Sequence, residues 1–363
     1  MSGTKKISRT FQISSSRLMY LAVASLFLAV LSGSLLGCSQ TESTQMASGT
    51  LKQQSGEQKE AVMENNTYEY GSGIPEELEY IPEGYTQPAK QQGTLEKLEY
   101  QTYESFSYEE RSERLTKTAW VYLPYGYSED EKYNVFYLSH GGWSNETTIM
   151  GTPQGYHSFK HVIDHAIEDG KIKPLIIVLP TYNNTSESDS GDYSLAIQLT
   201  NNFHNELVND LVPAVESKYS TYAQSINSEG LAASRDHRGF GGFSMGSVNT
   251  WRTFEYCLDY FRYFLPMSGS LTTDGEYMAD IVRASGHSGE DFFIFALSGT
   301  ADFAYSAFKQ QVMAMGSVVD GTFVFGNNEQ EGNLAFRERE GYVHDGTASD
   351  EYTYNGLRFF WNQ

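Results

Sequence analysis

The hydrophobic pattern from about residue 92 to residue 363 consists of short apolar runs separated by longer amphipathic segments. Several of the runs are continuously apolar, which is typical of strands that are buried on both faces of a parallel sheet. Residues 115–123 instead alternate apolar and polar side chains, so this run is predicted to be an edge strand. The predicted strands cover residues 115–123, 134–139, 175–179, 238–242, 292–297 and 334–338.

Between these runs the apolar residues recur at helical spacing. Phe159, Val162 and Ile163 begin one helical face that ends before Gly170, and a second apolar face extends over residues 203–215. Alternation of strands and helices predicts right-handed crossovers between parallel strands. The predicted fold class is therefore α/β, with a mostly parallel central sheet and helices on both faces. Chemistry is expected at the carboxyl ends of the strands.

The first 37 residues follow a different pattern. Residues 1–17 contain four basic residues and no acid, and an almost wholly apolar run at 18–31 follows, which is typical of a secretory signal peptide. The next segment ends in Leu-Leu-Gly-Cys at Cys38 and resembles a bacterial lipobox, in which the cysteine carries a lipid. Residues 1–37 are thus predicted to be a lipoprotein signal peptide. The alternative is an ordinary signal peptide or N-terminal anchor with a chance cysteine.

Residues 38–91 are rich in serine, threonine, glutamine and glutamate and have no helical or strand periodicity. They are predicted to be a disordered tether between the lipid on Cys38 and a single folded domain at 92–363. The expected location is the bacterial cell membrane, where the lipid anchors the chain and the domain faces away from the cytoplasm.

The charge of the chain limits its possible partners, and its cysteine content limits its possible disulfides. The chain carries 46 acidic and 25 basic residues, a formal charge of −21, which excludes nucleic acid as a partner and favours a neutral substrate. Only Cys257 remains after the predicted signal is removed and Cys38 is lipidated, so the domain has no disulfide. Apolar neighbours at helical spacing predict that Cys257 is buried and inert.

The candidate chemistry centres on residues 242–246, which read Gly-Phe-Ser-Met-Gly between a predicted strand and a predicted helix. A G-x-S-x-G sequence in that context can hold a serine on a strained turn, with its hydroxyl exposed as a nucleophile. The N-terminus of the following helix favours a developing negative charge beside Ser244. The alternative is that Ser244 only caps that helix.

Two further strand ends carry the residues that a serine nucleophile requires. Asp302 follows the predicted strand at 292–297, and His344 lies in the loop after the last predicted strand. The order serine, aspartate, histidine is that of the α/β-hydrolases and differs from the two other familiar serine-hydrolase orders. The alternatives are that Asp302 caps a helix and that His344 is a surface loop residue. The rival acids, which have no strand directly before them, are Asp274, Asp280, Asp291 and Asp320.

The predicted strand at 134–139 is followed by His-Gly-Gly-Trp. The backbone N–H groups of Gly142 and Met245 are expected to form the oxyanion hole. The alternative is that the glycines only permit a tight turn.

Six segments of the domain together resemble the esterase D-like α/β-hydrolases, and among them the feruloyl esterases of carbohydrate esterase family 1. They include the strand and loop before Gly142 and the turn that carries Ser244. The segments are 120–127, 137–142, 203–213, 237–247, 264–269 and 299–302.

The resemblance implies that residues 92–363 form an α/β-hydrolase esterase domain acting on feruloyl or similar hydroxycinnamoyl esters of plant cell-wall xylan. The implied partner is a feruloylated arabinoxylan or a related acylated oligosaccharide, and no cofactor is required. The alternative activities are an esterase for acetylxylan or another short acyl group, and a non-catalytic glycan-binding surface lipoprotein.

Three aromatic residues are candidates for contact with the substrate: Trp143, Tyr182 and Tyr305. His161 and His165 stand at i and i+4, a spacing that can bind zinc, so a metal-dependent reaction is an alternative hypothesis. They fall on a polar face that is predicted to be solvated, and no further ligand is evident. The sequence therefore predicts no metal site.

Overall fold

An eight-stranded sheet forms the centre of residues 73–361, the part of the chain that this computed structural model describes. A separate two-stranded hairpin, β4 and β5, lies outside it. The strands are β1 (Thr94–Tyr103), β2 (Arg114–Leu123), β3 (Asn134–Ser139), β4 (Gly151–Thr152), β5 (Gly155–Tyr156), β6 (Leu175–Leu179), β7 (Arg238–Phe243), β8 (Tyr263–Met267), β9 (Phe293–Gly299) and β10 (Leu334–Arg339).

The strand order is β1-β2-β6-β3-β7-β8-β9-β10. From β6 to β10 all neighbours in the sheet are parallel, whereas β2 is antiparallel to both β1 and β6. The predicted α/β class with a mostly parallel sheet is confirmed. The assignment of residues 115–123 to the edge is wrong, because β1 pairs along the whole of β2 and takes the edge itself.

Helices cover both faces of the sheet, as predicted. One apolar cluster packs α2, α5, α6 and α7 against the sheet, and a second packs α1 and α8 on the opposite face. A π-helical stretch, Leu207–Leu211, joins α2 to α3. Within residues 73–361, none of the helices has the length and apolar character needed to cross a membrane. The α-helices are α1 (Ser158–Glu168), α2 (Tyr193–Glu206), α3 (Val212–Lys218), α4 (Ser228–Ala233), α5 (Met245–Tyr256), α6 (Gly275–Ser285), α7 (Tyr305–Gly316) and α8 (Gly346–Leu357).

Residues 73–91 belong to the folded domain, so the prediction that the tether extends to residue 91 is wrong for this stretch. Ile74, Leu78 and Tyr85 are buried in the cluster that contains α1 and α8. The Arg339 Nη1 group donates a 2.7 Å hydrogen bond to the Leu78 carbonyl. The segment has no helical or strand periodicity that would predict its order. Groups far along the chain hold it in place. The predicted signal peptide and Cys38 lie outside the described residues and remain predictions.

Cys257 follows α5 and is completely buried, as its apolar neighbours predicted. Burial raises the pKa of its thiol well above the usual range, which disfavours the reactive thiolate.

Candidate active site

Ser244 occupies the turn between β7 and α5. Its φ of 62° is rare for a residue with a side chain, so the turn is strained, and its N–H donates a 2.9 Å hydrogen bond to the Met267 carbonyl. Ser244 stands at the N-cap position of α5, but its side chain makes no capping hydrogen bond. The geometry therefore disfavours the capping alternative and leaves the hydroxyl free for chemistry.

The glycines on either side of this turn are required by close approach to β3. A Cβ on Gly242 would lie 2.7 Å from the Ser139 carbonyl oxygen, and a Cβ on Gly246 would lie 2.4 Å from the same atom. Both distances are shorter than real Cβ contacts, so any other residue would push the turn away from the end of β3. The G-x-S-x-G spacing thus reflects packing as well as backbone conformation.

Asp302 and His344, which are 42 residues apart in the sequence, form a direct pair. His344 Nδ1 lies 2.8 Å from each carboxylate oxygen of Asp302. The Asp302 side chain is fully buried, and the Ala304 N–H also donates to it at 2.7 Å. The structure brings these two predicted residues together where β9 and β10 end.

The hydrogen bonds of this pair determine its protonation. Burial by itself would raise the pKa of the Asp302 carboxyl, but the hydrogen bonds from His344 and from the Ala304 N–H outweigh it and the pKa is lowered. Asp302 is therefore ionised at neutral pH and accepts a hydrogen bond from the His344 Nδ1–H group. The neutral ring then carries its lone pair on Nε2, which can accept a proton from another group.

The imidazole of His344 contacts two phenylalanine rings. The centroid of the Phe243 ring lies 4.4 Å from it and that of Phe303 lies 4.3 Å away. Since Phe243 directly precedes Ser244, the aspartate–histidine pair lies beside the serine turn. Phe303 is 75% exposed, and sequence reasoning missed it. Its place directly after Asp302 was the available signal, but exposure of an aromatic side chain cannot be deduced from sequence.

The loop after β3 borders Ser244 on another side. A Cβ on Gly141 would lie 3.5 Å from the Ser244 Cβ and 3.3 Å from the Phe243 carbonyl oxygen. Gly142 follows in the same loop, and Met245 is the first residue of α5, where N–H groups have no acceptor within the helix. Both predicted oxyanion donors thus lie on segments next to the serine. An N–H pair in this position can stabilise a negatively charged oxygen.

His140 fixes the conformation of this loop. Its Nδ1 lies 2.8 Å from the Gly141 carbonyl, which can only accept, so Nδ1 carries the hydrogen and Nε2 accepts from Thr181 Oγ1 at 2.8 Å. Burial lowers the pKa of His140 to about 4, so the ring is neutral at pH 7. His140 is a structural residue of the loop, in contrast to His344.

Tyr182 shares this role, and its predicted contact with substrate is contradicted. Its ring stacks on His140 with centroids 4.3 Å apart, and its hydroxyl donates to the Gly141 carbonyl at 2.7 Å. Only 1% of the residue is exposed, so no ring face is free for a ligand. Tyr182 thus supports the loop after β3 that contains Gly141 and Gly142.

A buried ion pair between Lys117 and Glu206 contacts the backbone of Thr181. Lys117 Nζ donates to the Thr181 carbonyl and to Glu206 Oε2, both at 2.8 Å, and the Tyr100 hydroxyl also donates to Glu206. A buried charge is tolerated only when it is paired and hydrogen-bonded, and this network meets that condition. It connects β1, β2 and α2 to the loop beside Ser244.

The two other aromatic candidates differ in their surroundings. Trp143 is 78% exposed, and its N–H donates to the Ser190 carbonyl at 3.0 Å, so the backbone is held while the side chain is available to a ligand. The Tyr305 hydroxyl is hydrogen-bonded to Glu338 and to Lys309. Phe303, rather than Tyr305, is the aromatic residue of this segment that contacts His344.

His161 and His165 do not lie on a solvated face, contrary to the prediction. Both are partly buried, and the His165 ring stacks on Tyr85 with centroids 4.8 Å apart. Asp164, between them, is buried and accepts hydrogen bonds from the Gly93 N–H and the Tyr122 hydroxyl. Within residues 73–361, no three His, Cys, Asp or Glu side chains are grouped so that they could hold a metal ion.

Comparison with known sequences places this geometry among esterases. Residues 114–288 match the family model Esterase, described as "Putative esterase". Endo-1,4-beta-xylanase Y of Acetivibrio thermocellus is 36% identical over 310 residues, which cover 83% of this chain and 26% of that protein. The chain therefore spans about a quarter of the length of this relative.

Solved structures give a more complete overlap. A mutant of the feruloyl esterase module from Clostridium thermocellum, complexed with sinapinate, is 35% identical with a TM-score of 0.69 and covers 81% of this chain and 96% of its own. A CE1 ferulic acid esterase from the anaerobic fungus Anaeromyces mucronatus is 20% identical with a TM-score of 0.55 and covers 79% and 99%. The fungal protein supports similarity of fold alone.

Proposed function

Because the chain belongs to the esterase family of α/β-hydrolases that includes the feruloyl esterases, we propose that it hydrolyses hydroxycinnamoyl esters such as feruloyl esters. The observation that carries the proposal is the hydrogen-bonded pair of His344 and Asp302 beside the strained turn of Ser244. A binding module has no need of a buried carboxylate that fixes the tautomer of a histidine at that place. This argues against the non-catalytic alternative.

In the proposed mechanism, Ser244 Oγ attacks the ester carbonyl while His344 Nε2 takes its proton. Asp302 holds the imidazole in the required tautomer and stabilises the imidazolium that forms. The N–H groups of Gly142 and Met245 stabilise the carbonyl oxygen as it becomes negatively charged. Breakdown of the tetrahedral intermediate expels the alcohol, which receives its proton from His344 and leaves an acyl-serine.

Water completes the cycle. His344 Nε2 takes a proton from the water molecule that attacks the acyl-serine, and it returns that proton to Ser244 Oγ as the acid leaves. One ester and one water thus give one acid and one alcohol, with no redox change.

Aromatic side chains near the serine support a hydroxycinnamoyl acyl group. Phe303 contacts the His344 ring and is 75% exposed. Trp143, two residues after Gly141, is 78% exposed. Flat, rigid aromatic rings bind another aromatic ring by offset or edge contacts and burial of apolar surface. The similar module from Clostridium thermocellum was solved with sinapinate, an aromatic acid, which agrees with this choice.

The polysaccharide and the location are further parts of the proposal. The similarity to xylanase Y supports xylan as the material that carries the ester. The basic and apolar N-terminal segment that ends at Cys38 supports anchoring of the chain by a lipid in the bacterial membrane, outside the cytoplasm.

A comparison of two substrates tests the acyl group. We expect kcat/KM of the full chain to be at least about tenfold higher for methyl ferulate than for an acetyl ester of the same alcohol, since burial of one aromatic ring contributes about 1.5–3 kcal/mol. Release of ferulate is followed by its absorbance and release of acetate by titration. A strong preference for acetyl would favour the alternative of a short-acyl esterase.

Replacement of Phe303 by alanine is expected to lower kcat/KM for methyl ferulate about fivefold to tenfold and to leave the acetyl ester nearly unchanged. The reason is that one aromatic contact of about 1 kcal/mol is lost only for the aromatic substrate. Phe325→Ala is the control. Phe325 is 44% exposed, and it pairs with Leu334 at the amino end of β10, whereas Phe303 follows the carboxyl end of β9. An equal loss for both esters would assign Phe303 to support of His344 instead.

A further inference from the structure

A second aromatic and polar surface lies along α2 and α5. The two helices follow β6 and β7, which are parallel members of the same sheet, so both begin at the edge that carries Ser244. They pack against each other in the same apolar cluster as they leave that edge. Any surface that they form together is therefore continuous with the candidate active site. We call it the α2–α5 face and define it by Tyr193, Asn201, His204, Arg252, Tyr256 and the adjoining Tyr277 of α6.

The spacing of these residues aligns them into two stripes. Tyr193, Asn201 and His204 stand at i, i+8 and i+11 on α2, which places them on one side of that helix. Arg252 and Tyr256 stand at i and i+4 on α5. Three tyrosines are open to solvent: Tyr193 is 62% exposed, Tyr256 is 44% exposed and Tyr277 is 38% exposed. Exposure of this many large rings on one face needs a reason.

The Tyr256 ring is supported by neighbouring side chains although it is partly exposed. Its ring stacks on His204, with centroids 4.0 Å apart and planes inclined by 23°. The Tyr256 hydroxyl donates to Asn201 Oδ1 at 3.4 Å. His204 Nδ1 donates to the Asn201 carbonyl at 2.9 Å, which leaves Nε2 as an acceptor. A supported aromatic ring with acceptors beside it suits a sugar ring, whose C–H face stacks and whose hydroxyls need hydrogen bonds.

Polar groups border the Tyr256 ring on the α6 side. Arg252 Nη1 and the Tyr277 hydroxyl both donate to the carboxylate of Glu255. Arg252 Nε is buried and has no hydrogen-bond partner among residues 73–361. A buried donor without a partner is costly, but protein atoms cover this nitrogen, so it is not itself part of the binding surface. The hydrogen-bonded groups of Arg252, Glu255 and Tyr277 thus lie on the same face as the exposed Tyr256 ring.

We propose that the α2–α5 face binds the sugar backbone of a neutral polysaccharide whose ester group is cleaved at Ser244. This inference rests on the proposed function, because it assigns the alcohol side of the same substrate. Tyr256 lies twelve residues after Ser244 on α5, which corresponds to about 18 Å of helix, so the face reaches several sugar units beyond the ester. The formal charge of −21 disfavours an anionic polymer on this surface.

Direct binding tests the inference without turnover. The full chain with Ser244→Ala is titrated with unesterified arabinoxylan oligosaccharides, and Tyr256→Ala is added in the same background. We expect the added substitution to weaken binding about fivefold or more, as loss of one stacking contact does, and Tyr256→Phe to retain most of it. Tyr222→Ala is the matched control, because Tyr222 is 37% exposed and stacks on His237 near the amino ends of β3 and β7. Absence of oligosaccharide binding, or an equal effect of Tyr222→Ala, would overturn the inference.

Kinetics separate this inference from the proposed function. In the chain with Ser244 intact, Tyr256→Ala should raise KM for feruloylated arabinoxylan about fivefold and leave kcat/KM for methyl ferulate unchanged. An equal loss on both substrates would show a structural role and contradict the binding site. If neither substrate is hydrolysed, the proposed function fails, whereas the titration with unesterified oligosaccharide still decides whether the surface binds sugar.

Discussion

Replacement of Ser244 by alanine is expected to lower kcat for methyl ferulate by about a million-fold, which is the scale seen when the nucleophile of a serine hydrolase is removed. The alanine has no oxygen to attack the ester carbonyl, so the acyl-serine cannot form. Any remaining acceleration, relative to the uncatalysed reaction in water, then comes only from substrate binding and from the N–H groups of the oxyanion hole. Stability should change little, because the side chain makes no capping hydrogen bond. Release of ferulate is measured over hours with purified protein.

The control for Ser244→Ala is Ser306→Ala, which changes an exposed serine of α7. We expect its kcat to equal that of the unchanged chain. If Ser244→Ala kept more than about a hundredth of the original kcat, the nucleophile would be another group. A covalent label such as an organophosphonate should modify the unchanged chain once and the Ser244→Ala chain not at all. Labelling at a different serine would contradict the assignment directly.

Replacement of Asp302 by asparagine is expected to lower kcat about ten-thousand-fold while the fold is retained. The buried amide can turn its N–H toward His344, which would place the imidazole hydrogen on Nε2 and remove the acceptor that Ser244 needs. The loss of negative charge also removes stabilisation of the imidazolium. kcat at neutral pH is the measurement, and KM should change little because Asp302 does not contact the acyl group in this mechanism.

Asp274→Asn is the matched control for Asp302→Asn. Asp274 is a rival acid in the sequence, and in the structure its side chain caps α6 by accepting from the N–H groups of Glu276 and Tyr277. Asparagine caps a helix about as well as aspartate, so neither activity nor stability should change much. If both variants lost activity equally, the role of Asp302 in orienting His344 would be refuted.

The Asp302–His344 pair also predicts a dependence of stability on pH. The pKa of Asp302 is lowered in the folded state, so the stability that it contributes is fully present above the pKa of an unfolded aspartate. That contribution is lost as the pH falls through the lowered pKa. When the pH is lowered through this range, the free energy of unfolding of the unchanged chain should therefore fall by more than that of the Asp302→Asn chain.

Local patterns were sufficient for the core of the parallel sheet and for the candidate nucleophile. Continuous apolar runs predicted β3, β6 and β9, because strands that pack helices on both faces have no polar side to display. The Gly-x-Ser-x-Gly segment predicted the Ser244 turn, since backbone conformation and close packing both demand glycine there. Asp302 and His344 were predictable because parallel strands bring their carboxyl ends to one edge of the sheet.

Other features depended on partners that are remote in sequence. β1 was missed because the two consecutive charged residues Glu96 and Lys97 interrupt its alternation, and its pairing with β2 is visible only in the sheet. Residues 73–91 were assigned to the tether because their few apolar residues are widely spaced. Arg339 and the surface of α1 and α8, which lie more than sixty residues later, hold them in place.

The sequence by itself determined the α/β class, six of the ten strands, and the three residues of the candidate triad, because each is encoded by local spacing or by chain order. Only the tertiary structure decided the role of each aromatic side chain. Tyr182 is buried against His140, Phe303 is exposed beside His344, and Tyr256 is exposed but supported by His204. Burial depends on which surfaces meet when the elements pack, and that information is distributed over the whole chain.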